Sequence, residues 1–339
     1  MANIVYGFGS SHGPLLSTPA DKWDLRAQND RENPELEYRG GKFTFPELME
    51  FRKHEKDFRK EIELPVREER HQRNQRAMDR LGQKLAEVNP DVIVLVGDDQ
   101  HEWFNDDIQP SFSVYCADQV INTAIDQEKM AKMPPGIQIA AKSHHPDADQ
   151  AYPVPSLARQ IVDQVMEDEF DIAVSMEQPR DKKGLVSVGH AVGFIYRRIL
   201  KDRPIPVVPI LLNTFFPPNQ PTPKRCYNFG QSIGKAIKAW NGENKNKRVA
   251  VCASGGISHF VVDEEFDDRM LTAMKKRDTK TIFAEPNSNF RSGTSETKNW
   301  ITVAGILSDT DLNMNLIDYV PCYRSEAGTG SGMGYATWE

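Results

Sequence analysis

The sequence predicts an α/β fold in which one domain, residues 1–339, has a central and largely parallel sheet flanked by helices. Several short segments are almost continuously apolar, which is typical of strands covered on both faces. Amphipathic helical patterns alternate with these segments, and such alternation favours a parallel sheet.

Each predicted strand is an apolar run that ends at polar or turn-forming residues. In chain order these are Ile4–Phe8, Val92–Gly97, Phe112–Tyr115, Ile172–Val174, Val207–Leu212 and Val249–Ala253. Each predicted helix shows the spacing of one apolar face, and most of them lead into the next strand. These are Arg70–Val88, Pro155–Glu167, His190–Lys201, Cys226–Trp240, Glu265–Lys276 and Thr294–Ile306.

Residues 18–69 break this alternation. They are dense in charged residues and carry isolated aromatic residues. One interpretation is a solvated helical excursion, because charged runs usually face water. The other is a lid or subunit contact, because long excursions in compact domains often serve sites.

Composition excludes some classes of partner. The net charge of −7 argues against nucleic acid. No apolar run approaches the roughly 20 residues of a membrane helix, so we expect no membrane partner. The four cysteines are far apart and form no C-x-x-C pair, which favours a reducing cytoplasm. We expect a homodimer, the commonest assembly of such folds.

Two histidines follow predicted strands on glycine-bearing turns. His12 lies in a Gly-Ser-Ser-His-Gly-Pro segment, and His259 lies in Gly-Gly-Ile-Ser-His just before Glu264 and Glu265. Open α/β sheets carry their sites at strand ends. Imidazole and carboxylate groups are metal ligands, so the pattern predicts a metal enzyme.

Three segments together resemble the class III (LigB-type) extradiol ring-cleavage dioxygenases. They are Ser-Ser-His-Gly-Pro, Gly-Gly-Ile-Ser-His followed by Asp-Glu-Glu-Phe-Asp, and Asn-Thr-Phe-Phe-Pro-Pro-Asn-Gln-Pro from Asn213. The group includes protocatechuate 4,5-dioxygenase, gallate dioxygenase and 3-O-methylgallate dioxygenase. The resemblance extends over most of the chain, including Gly-Thr-Ser-Glu-Thr-Lys-Asn-Trp from Gly293.

The resemblance implies a LigB-like fold and Fe(II) held by two histidines and a glutamate. It assigns His12 as the first ligand, Glu265 as the glutamate and His259 as the catalytic acid–base residue. The second histidine departs from the family pattern of a strand followed by Asn-Asp-His. Gln100 occupies that register here, and His101 follows one place later. We favour His101, because imidazole is the commoner ligand, and keep Gln100 as the alternative.

The Asp-His-Gly that many relatives carry is also missing near Asp181, and His190 is expected to supply the lost acid–base or substrate-binding group. Asn213, Thr214 and Tyr227 are candidates for substrate hydrogen bonds. The implied substrates are O2 and a catechol- or gallate-type acid, such as a lignin-derived compound. A metal-dependent hydrolase or decarboxylase with zinc, and a non-catalytic binding relative, are the alternatives.

Overall fold

The computed structural model describes residues 2–133, 135–182, 184–241 and 246–339. Its strands are β1 (Asn3–Ser10), β2 (Leu36–Tyr38), β3 (Gly41–Phe43), β4 (Val92–Asp98), β5 (Phe112–Tyr115), β6 (Gln119–Asn122), β7 (Gln150–Pro153), β8 (Ala173–Ser175), β9 (Val207–Leu212), β10 (Arg248–Ser254), β11 (His259–Val261), β12 (Met314–Tyr323) and β13 (Thr329–Trp338). Its helices are α1 (Asp24–Glu32), α2 (Phe45–Arg52), α3 (Phe58–Glu61), α4 (Leu64–Val88), α5 (Gln127–Ala131), α6 (Pro135–Ala141), α7 (Leu157–Glu167), α8 (His190–Phe194), α9 (Pro223–Ala239), α10 (Glu264–Lys275), α11 (Thr279–Ala284) and α12 (Thr297–Ile306).

A nine-stranded sheet has the order β11-β13-β1-β10-β4-β9-β5-β8, with β12 paired to β13. Strands β1, β10, β4 and β9 are mutually parallel and form its middle. Antiparallel pairs join β9 to β5 and β1 to β13. The prediction of an α/β fold around a largely parallel sheet is confirmed.

Both faces of the sheet are covered, which explains the continuous apolar runs. In β4 the side chains of Val92, Val94 and Val96 pack in one core, with residues of α7, α9, α10 and α12. Ile93 and Leu95 pack in the opposite core, with residues of α4, α8 and the π-helical turn that follows α8. Alternate residues of one strand therefore serve two hydrophobic cores.

The glycine-rich tail forms β13, a strand that the apolar patterns did not predict. All ten of its residues are buried, between β1 and β11 on one side and β12 on the other. A Cβ atom at Gly330 would overlap the carbonyl oxygen of Cys322, and its φ of +151° also favours glycine. Close backbone approach therefore takes the place of side-chain packing here.

The charged excursion, residues 18–69, packs against two turns: the one after β11, the strand that begins with His259, and the one that joins β12 to β13. Arg39 donates to both carboxylate oxygens of Asp263 at 2.7 Å. The buried Asp30 accepts from Arg324 at 2.6 and 2.7 Å. Arg52 is 2% exposed and donates to the carbonyl oxygens of Val262 and Gly328 at 2.9 and 3.0 Å. The excursion therefore anchors the far end of the short strand that begins with His259, and the turn between β12 and β13.

We predict that Arg52→Met lowers the free energy of unfolding by about 2–3 kcal/mol, because buried carbonyl groups lose their donor. Lys53→Met is the matched control on the same helix end. Lys53 is half exposed and, among the described residues, pairs with the exposed Glu50, so its loss should change stability by less than about 0.5 kcal/mol. Urea unfolding of both variants measures the difference. Equal stabilities would contradict the anchoring role.

Candidate active site

The ends of three parallel strands meet at one edge of the sheet. His12 follows β1, Asp98 ends β4 and Ser254 ends β10. His190 begins α8, and Glu296 lies directly before α12. One ligand atom from each of His12, Asp98, His190 and Glu296 lies within 4.8 Å of the others. We call these four residues the strand-end cluster.

The orientation of His12 is set by the neighbouring strand. The hydroxyl of Ser254 donates to the carbonyl oxygen of Ala191 at 2.7 Å, so its oxygen can only accept from His12. Nδ1 of His12 lies 2.9 Å from that oxygen and therefore carries the proton. Nε2 is left as the basic nitrogen, and it faces the cluster.

The orientation of His190 is likewise set by a neighbouring group, in this case the carboxylate of Glu102. Nδ1 of His190 lies 3.0 and 2.9 Å from the two carboxylate oxygens of Glu102. Burial alone would lower the pKa of His190, but Glu102 raises it to about 10. Burial alone would raise the pKa of Glu102, but His190 lowers it to about 2. The imidazole is thereby fixed with Nε2 toward the cluster.

Two buried carboxylates complete the cluster. Glu296 places Oε2 3.1 Å from Nε2 of His12 and also accepts the backbone N–H of Gly256 at 2.7 Å. Burial would raise its pKa, but His259 and His12 hold the pKa of Glu296 well below its usual range. Asp98 accepts from Asn299 at 3.0 Å. Burial, and then the charge of Glu296, raise the pKa of Asp98.

The two imidazoles approach through their basic nitrogens, with Nε2 of His12 and Nε2 of His190 only 3.2 Å apart. Two lone pairs at this distance repel unless a cation lies between or beside them. A proton on His190 meets this need when no metal is bound, in line with its raised pKa. A divalent metal ion would meet it as well, because two imidazoles and a carboxylate match the facial arrangement of non-haem iron sites. The residues present therefore fit a metal ion.

His259 lies beside the cluster without being part of it. Its Nε2 is 3.0 Å from Oε1 of Glu296, and its side chain is 11% exposed. The ring fits against Gly256, where a Cβ atom would lie 2.7 Å from Nδ1. Nδ1 is buried and has no hydrogen-bond partner among the described residues. His259 therefore offers a nitrogen that can exchange a proton next to the cluster.

Two expected ligands lie away from the cluster. Glu265 has a side chain that is 76% exposed and is paired with Arg39 at the start of α10. His101 stacks on Phe216 with ring centroids 3.8 Å apart, and its backbone has a φ of +62°, which turns the chain outward. The structure does not support either residue as a ligand. The cluster itself contains the glutamate Glu296 and a second imidazole, that of His190.

Gln100, the alternative to His101, does reach the cluster. Its amide Nε2 donates to Oδ2 of Asp98 at 3.2 Å, so it acts on the cluster through that carboxylate. Oδ1 of the same carboxylate accepts from Asn299, and the two amides hold it in a fixed plane. Gln100 therefore lies next to the ligand atoms.

We predict that Gln100→Ala weakens binding of a divalent metal about 10-fold, as expected for a partner that orients a ligand. His101→Asn is the comparison, because asparagine tolerates a positive φ and lacks the imidazole. Its metal affinity should match that of the wild type. Anaerobic calorimetric titration measures both variants, and a loss confined to His101→Asn would restore His101 as the ligand.

The three expected substrate contacts lie in different settings. The amide of Asn213 is used within its own loop, where it donates to Phe216 O and Asn219 Oδ1, both at 2.7 Å. Thr214 is buried, and its hydroxyl has no partner among the described residues. Tyr227 packs in the helical layer against Phe283, with ring centroids 5.5 Å apart. The structure thus commits the amide of Asn213 to its own loop and leaves the Thr214 hydroxyl without a partner among the described residues.

Sequence reasoning missed Asp98, Glu102 and Glu296. Asp98 and Glu102 flank the two residues that were weighed as ligands, and each had the strand-end position that predicts a site. Glu296 stands in a helix start whose neighbours Ser295 and Thr297 are fully buried. The segment reads Ser-Gly-Thr-Ser-Glu-Thr-Lys-Asn, which looks solvent-exposed in the sequence, so nothing local indicated that this carboxylate is buried.

Two further findings concern the whole chain. Within the described ranges, no helix combines the length and apolar character needed to cross a bilayer. All four cysteines are buried thiols without a disulfide, and burial raises the pKa of Cys116 to about 11 and that of Cys226 to about 12.

Comparison with known proteins agrees with this geometry. Residues 61–328 match the family of the catalytic LigB subunit of aromatic ring-opening dioxygenase. Gallate dioxygenase of Pseudomonas putida is 29% identical over 163 residues, which cover 45% of this chain and 45% of that relative. The chain therefore matches less than half of the length of this curated relative. Because the family match spans well over half of the residues, the chain belongs to the LigB family of aromatic ring-opening dioxygenases.

Proposed function

We propose that the chain is an Fe(II)-dependent dioxygenase that opens the ring of a catecholic aromatic acid by extradiol cleavage. The observation that carries the proposal is the convergence of two basic imidazole nitrogens, 3.2 Å apart, on the carboxylates of Glu296 and Asp98. Two imidazoles and a carboxylate with further positions open are the donor set that suits non-haem Fe(II) oxygenases. Family membership supports the same chemistry.

In this proposal His12, His190 and Glu296 hold the ion, and Asp98 contributes charge or a further oxygen. When bound, iron supplies the means for a diol and O2 to react at one centre, which amino-acid side chains cannot provide. The chain's own residues supply orientation and charge. Ser254 and Glu102 fix the two imidazoles, and Gln100 and Asn299 fix Asp98.

His259 is the proposed acid–base residue. Its Nε2 lies 3.0 Å from Oε1 of Glu296, and it is not one of the four residues of the strand-end cluster. It is therefore free to act on a substrate bound there, because it does not bind the metal ion itself. A histidine can take up a proton from a substrate hydroxyl near neutral pH and return it later in the reaction. Two glycines, Gly256 and Gly293, leave its ring the space it needs.

The proposed substrate class is a catechol- or gallate-type acid, as in the catabolism of lignin-derived and other aromatic compounds. The relative from Pseudomonas putida is named for gallate, which carries a carboxylate and adjacent ring hydroxyls. We further propose that residues 18–69 shield the site, because Arg39 and Arg52 bind Asp263 and Val262, directly after the short strand that begins with His259. A cytoplasmic homodimer is our proposal for the working form, and the four free thiols support the reducing compartment.

Oxygen uptake tests this function. The protein is loaded anaerobically with Fe(II) or, in parallel, with Zn(II), and each form is mixed with gallate, protocatechuate, 3-O-methylgallate or catechol. The iron form should consume O2 with at least one acid and give a yellow ring-opened product. Turnover with zinc and without O2 uptake would indicate a hydrolase or decarboxylase. Binding of the acids with neither reaction would indicate a non-catalytic relative.

A further inference from the structure

We propose that Glu102 is a positioning residue, which fixes the ring of His190 so that this histidine can serve as the second imidazole ligand. The inference rests on the proposed function, since it concerns the same metal centre. It assigns a role to a carboxylate that lies outside the strand-end cluster.

Glu102 contacts both the backbone and the imidazole ring of His190. Its Oε1 accepts the backbone N–H of His190 at 2.7 Å, and its two oxygens lie 3.0 and 2.9 Å from Nδ1 of the ring. The same carboxylate therefore binds both the backbone N–H and the imidazole of His190, the first residue of α8. Because a carboxylate only accepts, Nδ1 must donate to it, and Nε2 is directed at His12. Such a carboxylate–histidine pair orients a ligand and makes it more basic.

Gly189 leaves the space that this contact requires. A Cβ atom at Gly189 would lie 2.5 Å from Oε2 of Glu102. Its φ of −68° is open to any residue, so crowding and not backbone conformation accounts for a glycine at this position. The contact between Glu102 and His190 therefore depends on the carboxylate of Glu102 and on the missing side chain at Gly189.

Glu102 also explains how the centre can work without the family's second histidine. The turn after β4, where that histidine is expected, has Gln100 in its place and directs His101 toward Phe216. The same turn supplies Glu102, two residues after Gln100. The turn thus contributes no imidazole of its own and instead holds the imidazole that α8 provides.

The experiment titrates the full-length metal-free protein with Co²⁺ alone, for the wild type, Glu102→Gln and Gly189→Ala. We expect each variant to bind Co²⁺ about 10–100-fold more weakly, the usual effect of losing a partner that orients a ligand. Asp106→Asn is the matched control, because Asp106 lies on the same turn with 81% of its side chain exposed. Its affinity should equal that of the wild type.

A second readout separates positioning from general damage and from failure of the proposed function. In the wild type, the Nδ1 proton of His190 should give a far-downfield ¹H resonance that is protected from exchange with water. It should move upfield or exchange in Glu102→Gln while the thermal unfolding midpoint stays near that of the wild type. An unchanged Nδ1 resonance in that variant overturns the inference even if the wild type binds no Co²⁺. Unchanged Co²⁺ affinity in both variants also overturns it.

Discussion

Glu296→Gln is expected to abolish stoichiometric iron binding and all ring cleavage, while Glu265→Gln leaves both unchanged. Glutamine keeps the size of Glu296 and can still accept from Gly256, so the fold should persist. It removes the negative charge beside Nε2 of His12, 3.1 Å away. We expect metal affinity to fall by more than about 100-fold, since a ligand matters more than the partners that orient it.

Anaerobic Fe(II) titration and oxygen uptake measure this pair of variants. Glu265→Gln serves as the matched control, because it makes the same chemical change at an exposed carboxylate near the start of α10. Normal iron occupancy in Glu296→Gln would remove Glu296 from the ligand set. Iron loss in Glu265→Gln alone would return the ligand to the position that the sequence resemblance gave.

His259→Gln is expected to keep near-normal iron while kcat falls by about 10²–10⁴, the usual contribution of a positioned proton-transfer group. Glutamine can still donate to Oε1 of Glu296, 3.0 Å from the histidine nitrogen, so the carboxylate should keep its place. It cannot take up a proton near neutral pH, so the loss should appear in turnover and not in metal binding.

Single-turnover kinetics with iron-loaded protein measure this effect, with iron content determined on the same samples. Asn289→Ala is a suitable control, since its amide donates to Glu285, which is outside the cluster, and it should leave kcat unchanged. If iron is lost together with activity in His259→Gln, His259 acts as a ligand and the acid–base role is wrong.

Much of the fold could be predicted, because the central strands of the sheet are apolar runs that the local sequence reveals. β5 and β9 were predicted with the bounds that the structure gives, since their apolar runs are covered on both faces. β13 could not be predicted in this way. It consists largely of small residues, and it is buried because neighbouring backbones pack directly against it. That arrangement depends on partners far away in the sequence, and apolar periodicity does not report it.

The candidate site also has a part that the sequence predicted and a part that it did not. His12 and His259 follow strands on glycine-bearing turns, and both lie at the edge that this pattern predicts. The resemblance implied Glu265, which lies in an acidic run that follows His259. Acidic residues in the first turn of a helix are stabilised by the helix dipole and by solvent, and Glu265 and its neighbour Glu264 fit that role. Glu296 is the glutamate whose burial demands a cationic partner.

The choice between His101 and Gln100 illustrates a second limit. Imidazole is the commoner ligand, and this general preference favoured His101. In the structure, the positive φ at His101 directs its side chain toward Phe216 and Lys182 and away from the cluster. The second imidazole of the cluster is that of His190, almost ninety residues later and on another element. A single sequence does not show that two such positions meet.

Incorporation of ¹⁸O from labelled dioxygen tests the central claim most directly. The iron-loaded protein is mixed with the catecholic acid that it consumes fastest, under ¹⁸O2 in unlabelled water, and the product is examined by mass spectrometry. The account predicts a ring-opened product that carries oxygen from O2, formed by the wild type and not by Glu296→Gln. A product that takes its new oxygen only from water, or one that keeps the ring closed, would contradict it.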